Sequence, residues 1–260
     1  MPKVHSKPLR KTLEVDRIIG HIKGSGSGPT LIFTGGIHGN ESSGVFALHT
    51  VYEAIKKNGL PINGSFYALS GNLWALEREK RYHKQDLNRL WTTDNVNLLR
   101  DGNLIPENED LAQQMEIYKT LSNIMENESG PFYFMDLHTT SSQTIPFLTV
   151  NDSLLNRKFC EQYPIPMILG IEEYLDGPLL NWVNDLGYVA FGYEAGQHDS
   201  LSSIENHIAF IYLSMVFTGC LEKSDIDFDH YFQVLEKTAM NFRHVYEIFY
   251  RYQINEKEEF

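Results

Sequence analysis

Residues 29–44 read "PTLIFTGGIHGNESSG". The apolar run "PTLIF" has the length and composition of a strand buried on both faces, and "VFALHTVYEAIKK" at 45–57 repeats its apolar positions at helical spacing. His38 and Glu41 lie in the turn between them, three positions apart and among glycines. In open α/β sheets ligands bind outside the carboxyl ends of the strands, where rigid elements hold side chains in place. A His and a Glu at such a junction therefore invite a metal-site reading. Taken alone, the pair fits equally a first-turn acid favoured by the helix dipole beside a polar turn histidine.

The pattern outside this unit repeats the alternation. Strand-like runs occur at 12–22, 64–71, 131–139, 144–150, 167–170 and 188–196, and helical patterns at 41–57, 107–127, 151–162 and 176–186. Such alternation predicts an α/β fold with a mixed central β-sheet flanked by helices on both faces. After Glu194 the pattern is helical. The segment 202–219 opens with Ser202 and Glu205 in capping-box spacing and stops at Gly219, and 227–254 carries apolar residues at helical intervals. The expectation is one catalytic domain over 1–260 with a helical C-terminal segment at 202–252.

Composition narrows the partners. The 260 residues include 22 basic and 34 acidic side chains, a formal charge of −12, with no Lys/Arg-rich run. That excludes the electrostatic footprint of nucleic-acid binding, and an anionic substrate would need local arginines against the global field. No segment approaches the roughly 20 apolar residues that span a bilayer, so no membrane partner is expected. Cys160 and Cys220 are too few for a disulfide framework, and the N-terminus shows no secretory h-region, so the expected location is the cytoplasm. The oligomeric state, a homo-oligomer included, stays open.

Chemistry concentrates in four short stretches. His138, at the end of "PFYFMDLH", offers a third ligand to join His38 and Glu41. Two close ligands and one distant one, His, Glu and His, match a catalytic zinc site that keeps a position open. Asp136, two residues before His138, is a candidate outer partner for it, or a strand-end cap. The segment "RYHKQDLNRLW" supplies Arg81, Asn88 and Arg89. A guanidinium fork with an amide suits a carboxylate, although a solvated basic turn with Asp86 salt-bridged to a neighbour fits the same residues. Glu194 ends the apolar strand "YVAFGYE", where a carboxylate is costly unless paired or functional, and beside a metal it would serve as general base and then acid. Tyr188 and Tyr193 read as packing residues.

"HGNE", "DLNR", "DLHT" and "YEAG", in this order and at these separations, resemble the succinylglutamate desuccinylase/aspartoacylase family, an N-acyl-amino-acid-cleaving branch of the zinc-carboxypeptidase-like hydrolases. The resemblance covers roughly residues 25–200. It implies one Zn2+ per chain held by His38, Glu41 and His138, with Glu194 as catalytic acid/base. It further implies that Arg81 polarises the scissile carbonyl, that Asn88 and Arg89 bind the α-carboxylate, and that the substrate is a small N-acyl amino acid.

Two features depart from the family. No arginine lies between Leu175 and Glu194 to hold an acyl-side carboxylate, which leaves a neutral acyl group or a residue elsewhere, Arg157 being one candidate. The family's C-terminal β-rich domain is expected to be absent or truncated, the sequence ending at Phe260, and its absence would leave a wider active-site mouth. Two alternatives use the same residues: a metallocarboxypeptidase acting on short peptides, and a carboxylate-binding module without turnover, against which Glu194 argues. A structural zinc site would want a fourth protein ligand, usually with cysteines.

Overall fold

The structure is a computed structural model that describes residues 1–171, 174–240 and 242–250. In chain order its elements begin with β1 (Lys3–Ser6), β2 (Lys11–Glu14), β3 (Ile18–Lys23), β4 (Ser25–Gly35), α1 (Ser43–Asn58), β5 (Asn63–Ser70) and α2 (Leu73–Glu77). They continue with α3 (Thr93–Arg100), α4 (Glu109–Asn127), β6 (Phe132–Thr140), β7 (Phe147–Val150), α5 (Leu154–Cys160) and β8 (Met167–Leu169). The last are α6 (Leu179–Asp185), β9 (Val189–Gln197), α7 (Leu201–Phe217), α8 (Phe228–Thr238) and β10 (Val245–Glu247).

Leu31, Ile32 and Phe33 are all fully buried, which a strand allows only when both its faces are covered. Their strand, β4, lies between β5 and β6 in a mixed sheet of order β10-β8-β7-β9-β6-β4-β5-β3. The run β9-β6-β4-β5 is parallel, and antiparallel pairings join β3 to β5 and β7 to β9. Leu31 and Phe33 face one core with α1, α5, α7 and α8, while Ile32 faces a second with α4 and α6. The anticipated mixed sheet with helices on both faces is what forms.

The path of the chain creates a crevice. From β4 it crosses through α1 to β5 on one side, and the later strand β6 takes the other side of β4. The carboxyl ends of β4 and β6 thus flank the point where strand order reverses, where open α/β sheets hold ligands.

Several local expectations are corrected. The run 12–22 splits into β2 and β3, because Arg17 turns inward and its guanidinium donates to the carbonyls of Ser70 and Gly71 and to Gln113. Helix α7 begins two residues earlier than a Ser202 cap requires; Ser200 is the N-cap and bonds the Ser202 hydroxyl at 2.7 Å, so no capping box with Glu205 forms. The 227–254 pattern is helical only to Thr238. Met240 takes a left-handed φ of 53°, and Val245–Glu247 then pair in parallel with the open edge of β8, so strand pairing overrides helical periodicity. Residues 251–254 of that expectation lie outside the described residues. Helices α2 and α3 were not anticipated, α2 being five residues long and α3 short and mostly polar.

Candidate metal centre

Strand β4 delivers the chain to Gly36, whose φ of 76° only glycine adopts freely. Gly71 and Asn72 donate their N–H groups to the carbonyls of Gly35 and Gly36, pinning the loop to the end of β5. Gly39 lies against α2 so closely that a Cβ would sit 2.0 Å from the Ala75 carbonyl carbon. A bond from Glu41 N to His38 O (3.1 Å) then closes a turn that puts both side chains on one side.

The Glu41 carboxylate is the hub. Its Oε1 lies 2.9 Å from His38 Nδ1 and its Oε2 3.1 Å from His138 Nδ1, and Thr139 N donates to Oε2 at 3.0 Å. All three residues are buried, and their ligand atoms lie within 4.8 Å of one another. Both imidazoles present Nδ1 to the hub and hold Nε2 against a second carboxylate. His38 Nε2 is 3.0 Å from Asp86 Oδ1, and His138 Nε2 is 2.7 Å from Asp136 Oδ2. Asp136 is fixed in turn by Thr34, which donates to its other oxygen at 2.5 Å. Carboxylates behind the imidazoles fix the tautomer and raise ligand basicity, as metal sites require.

The electrostatics point the same way. Burial disfavours the Glu41 anion, but hydrogen bonds from His138 and His38 outweigh it and hold this carboxyl far below its usual range. Burial also works against a charged His138, yet Asp136 and Glu41 raise it well above an ordinary imidazole, and Asp86 and Glu41 do the same more mildly for His38. Glu41 and Asp86 face the Arg81 guanidinium, while Asp136 stands behind His138, so three carboxylates are set against one fixed positive charge. With neutral imidazoles two negative charges remain, the charge a divalent cation compensates. The N, N, O donor set with its outer carboxylates fits zinc.

Glu194 stands beside this group on β9, in register with His138 on β6. Its Oε2 is buried with no hydrogen-bond partner among the described residues. Burial pushes its carboxyl up to about 7, helped by Glu41 and Asp136 and opposed by His138 and His38. A carboxyl at that value exchanges a proton readily at neutral pH.

Arg81 enters through Asp86, donating from Nε (3.3 Å) and Nη2 (3.1 Å) to Oδ2, while its Nη1 lies 3.5 Å from Glu41 Oε1. The Asp86 salt bridge weighed from sequence does form, and the same side chain holds a candidate ligand. Asp86 Oδ1 also accepts from Asn88 N at 2.9 Å, so the turn bearing Asn88 and Arg89 is tied to the His38 side of the cluster. Asn88 uses its side-chain oxygen to accept from Leu179 N at the start of α6, and Arg89 donates to the Asn88 carbonyl. Neither touches His38, Glu41 or His138 among the contacts of the described residues. The loop leading to Asp86 hangs on Asp110, fully buried, which accepts from the N–H groups of His83, Lys84 and Gln85 and from Asn72.

Arg157 is not brought to the site: it forms a bidentate pair with Asp152 at 2.5 and 2.7 Å on the surface. Tyr193 stacks on Phe210 and Tyr188 packs on Phe132 and Phe134, as packing residues do. Sequence reasoning missed Asp110, which reads as an ordinary first-turn acid of α4, and His198, whose place depends on a strand irregularity. The outer role of Asp86 had a signal, its place in "DLNR".

A family profile for the succinylglutamate desuccinylase/aspartoacylase catalytic domain matches residues 27–209. The chain belongs to that family. Succinylglutamate desuccinylase from Vibrio cholerae superposes with a TM-score of 0.62 at 16% identity, over 76% of this chain and 60% of that one. A succinylglutamate desuccinylase/aspartoacylase from Rhodobacter sphaeroides gives 0.59 at 18% identity, over 78% and 58%. The product-bound ectoine utilization protein EutE (DoeB) from Ruegeria pomeroyi gives 0.59 at 19%, over 78% and 60%. These relatives share the fold, and this desuccinylase/aspartoacylase-family chain spans about three fifths of their length. No helix among its described residues is long and apolar enough to cross a membrane.

Proposed function

We propose that this protein is a zinc-dependent hydrolase that cleaves the amide bond of a small N-acyl amino acid. The observation that carries the reading is the juxtaposition of a convergent His38–Glu41–His138 donor set with an unpartnered, buried Glu194 oxygen on the neighbouring strand. His38 and His138 through Nδ1 and Glu41 through its carboxylate would hold one zinc ion per chain. A bound zinc ion supplies Lewis acidity, polarising a carbonyl and acidifying water near neutral pH.

The protein's own residues do the rest. Glu194 takes the proton from the attacking water and returns it to the leaving nitrogen, both transfers suiting a carboxyl near 7. Arg81, half-exposed and pre-oriented by Asp86, aims its guanidinium at the hub and donates to the oxygen on which charge develops. A well-placed donor of this kind is worth roughly 3–4 kcal/mol. Asn88 and Arg89 hold the α-carboxylate, Arg89 by its fork and Asn88 by its amide nitrogen, since its oxygen is committed to Leu179.

Release of free amine from N-acetyl, N-formyl, N-succinyl and N-aspartyl amino acids, set against a dipeptide panel, tests the reading. Turnover of one acyl class without peptide cleavage is expected. Cleavage of dipeptides alone would make the protein a carboxypeptidase instead.

A further inference from the structure

His198 has no part in the chemistry above, yet it touches both segments that carry the candidate ligands. His138 pairs with Glu194 and Thr140 with Gln197, so two steps along β6 are matched by three along β9. Gly196, with φ of 112°, absorbs the extra residue as a bulge, a device that re-aims a side chain. His198 N then donates to Thr140 O at 2.9 Å, and the redirected imidazole sits 2.6 Å by Nδ1 from Thr139 Oγ1 and 3.4 Å by Nε2 from Asn40 Nδ2. Both ring nitrogens are thus engaged, one by the Asn40 amide and the other by the Thr139 hydroxyl.

Both partners are neighbours of ligands. Asn40 lies between His38 and Glu41, and Thr139 follows His138 while its own N–H donates to Glu41 Oε2 at 3.0 Å. The next residue, Asp199, is left-handed with φ of 56° and is gripped by Lys7 at 2.7 Å, which anchors the loop that presents the ring.

We propose that His198 is a positioning residue of the metal centre: a neutral imidazole that ties the His38–Glu41 loop to the end of the strand bearing His138, and so sets where the three ligand atoms meet. The inference rests on the metal-binding reading above. Asp86 and Asp136 each orient a single imidazole from behind, whereas His198 joins the two halves of the site. Its link to Glu41 runs through Thr139, whose hydroxyl it holds and whose N–H fixes the carboxylate.

Competition for Zn2+ against a chromogenic chelator at fixed pH tests this in the full chain, with denaturant midpoints of the metal-free proteins as the folding control. His198→Ala should weaken Zn2+ binding about 10- to 100-fold, the usual effect of losing an outer-shell partner. His198→Gln, whose amide can still bond the hydroxyl, should recover most of it. Thr139→Val should weaken binding comparably, and the double variant should be no worse than either single one, because the two act in one chain of contacts. Native Zn2+ affinity in His198→Ala, full additivity in the double variant, or no recovery in His198→Gln would each overturn the inference while leaving the metal centre standing. A native chain that binds no Zn2+ would remove the metal reading itself, and this inference with it.

Discussion

Asp86 holds His38 and Arg81 with its two different oxygens, Oδ1 at 3.0 Å from His38 Nε2 and Oδ2 at 3.1 Å from Arg81 Nη2. One carboxylate therefore orients a candidate ligand and a candidate oxyanion donor together. Burial opposes its charge, but His38, Arg81 and the Asn88 N–H hold it far below the usual carboxyl range.

Asp86→Asn keeps the volume and can still accept from Asn88 N, but it loses the charge and turns a donor toward Arg81 or His38. Zinc affinity should drop about 10- to 100-fold, with a further loss in turnover of the zinc-saturated protein as Arg81 is freed. The denaturant midpoint should hardly move. Chelator competition and kcat at saturating zinc separate the two effects, and an unchanged zinc affinity would reduce Asp86 to a turn cap.

Glu194→Gln should bind zinc as the native chain does and lose about 10²- to 10⁴-fold in kcat, the range assigned to a positioned acid/base. A variant with near-native turnover would take Glu194 out of the chemistry.

Asp110→Ala removes an acceptor shared by three backbone N–H groups and Asn72. A charged hydrogen-bond acceptor lost from a buried site costs on the order of 3 kcal/mol, to be read in urea. Because these groups hold the loop that ends at Asp86, zinc affinity should fall as well, although Asp110 contacts neither imidazole among the described residues.

His207 on α7 is fully buried, and burial is the main cause that pulls its pKa down to about 3. The unfolded chain takes up a proton near pH 6.5 at His207 that the folded chain refuses until about 3, so the contribution of His207 to stability is complete above 6.5 and declines as pH falls through that interval. Metal-free His207→Leu should show a flatter decline between pH 6.5 and 3 than the native chain, measured by denaturant midpoints across that interval. Parallel curves would show that His207 is not the source of acid lability.

The sheet was legible in the sequence because its central strands are buried on both faces and read as continuous apolar runs, Leu31–Phe33 foremost. The three candidate ligands were legible because each ends or follows such a strand. What lay hidden depends on contacts distant in sequence. Asp110 is a plain helix-start acid until His83–Gln85 fold onto it, and His198 is a loop histidine until the bulge at Gly196 swings it over Thr139. The C-terminal helix was over-read at 245–247 because periodicity cannot register that the edge of β8 stands open to a strand.

The central claim is that His38, Glu41 and His138 hold a metal ion. Elemental analysis of the purified chain beside His38→Ala tests it most directly. Close to one zinc per native chain and a large loss in the variant are expected, because His38 supplies one of the three ligand atoms that cluster among the described residues. No bound zinc in the native chain after incubation with Zn2+ and desalting, or equal zinc in both proteins, would contradict it.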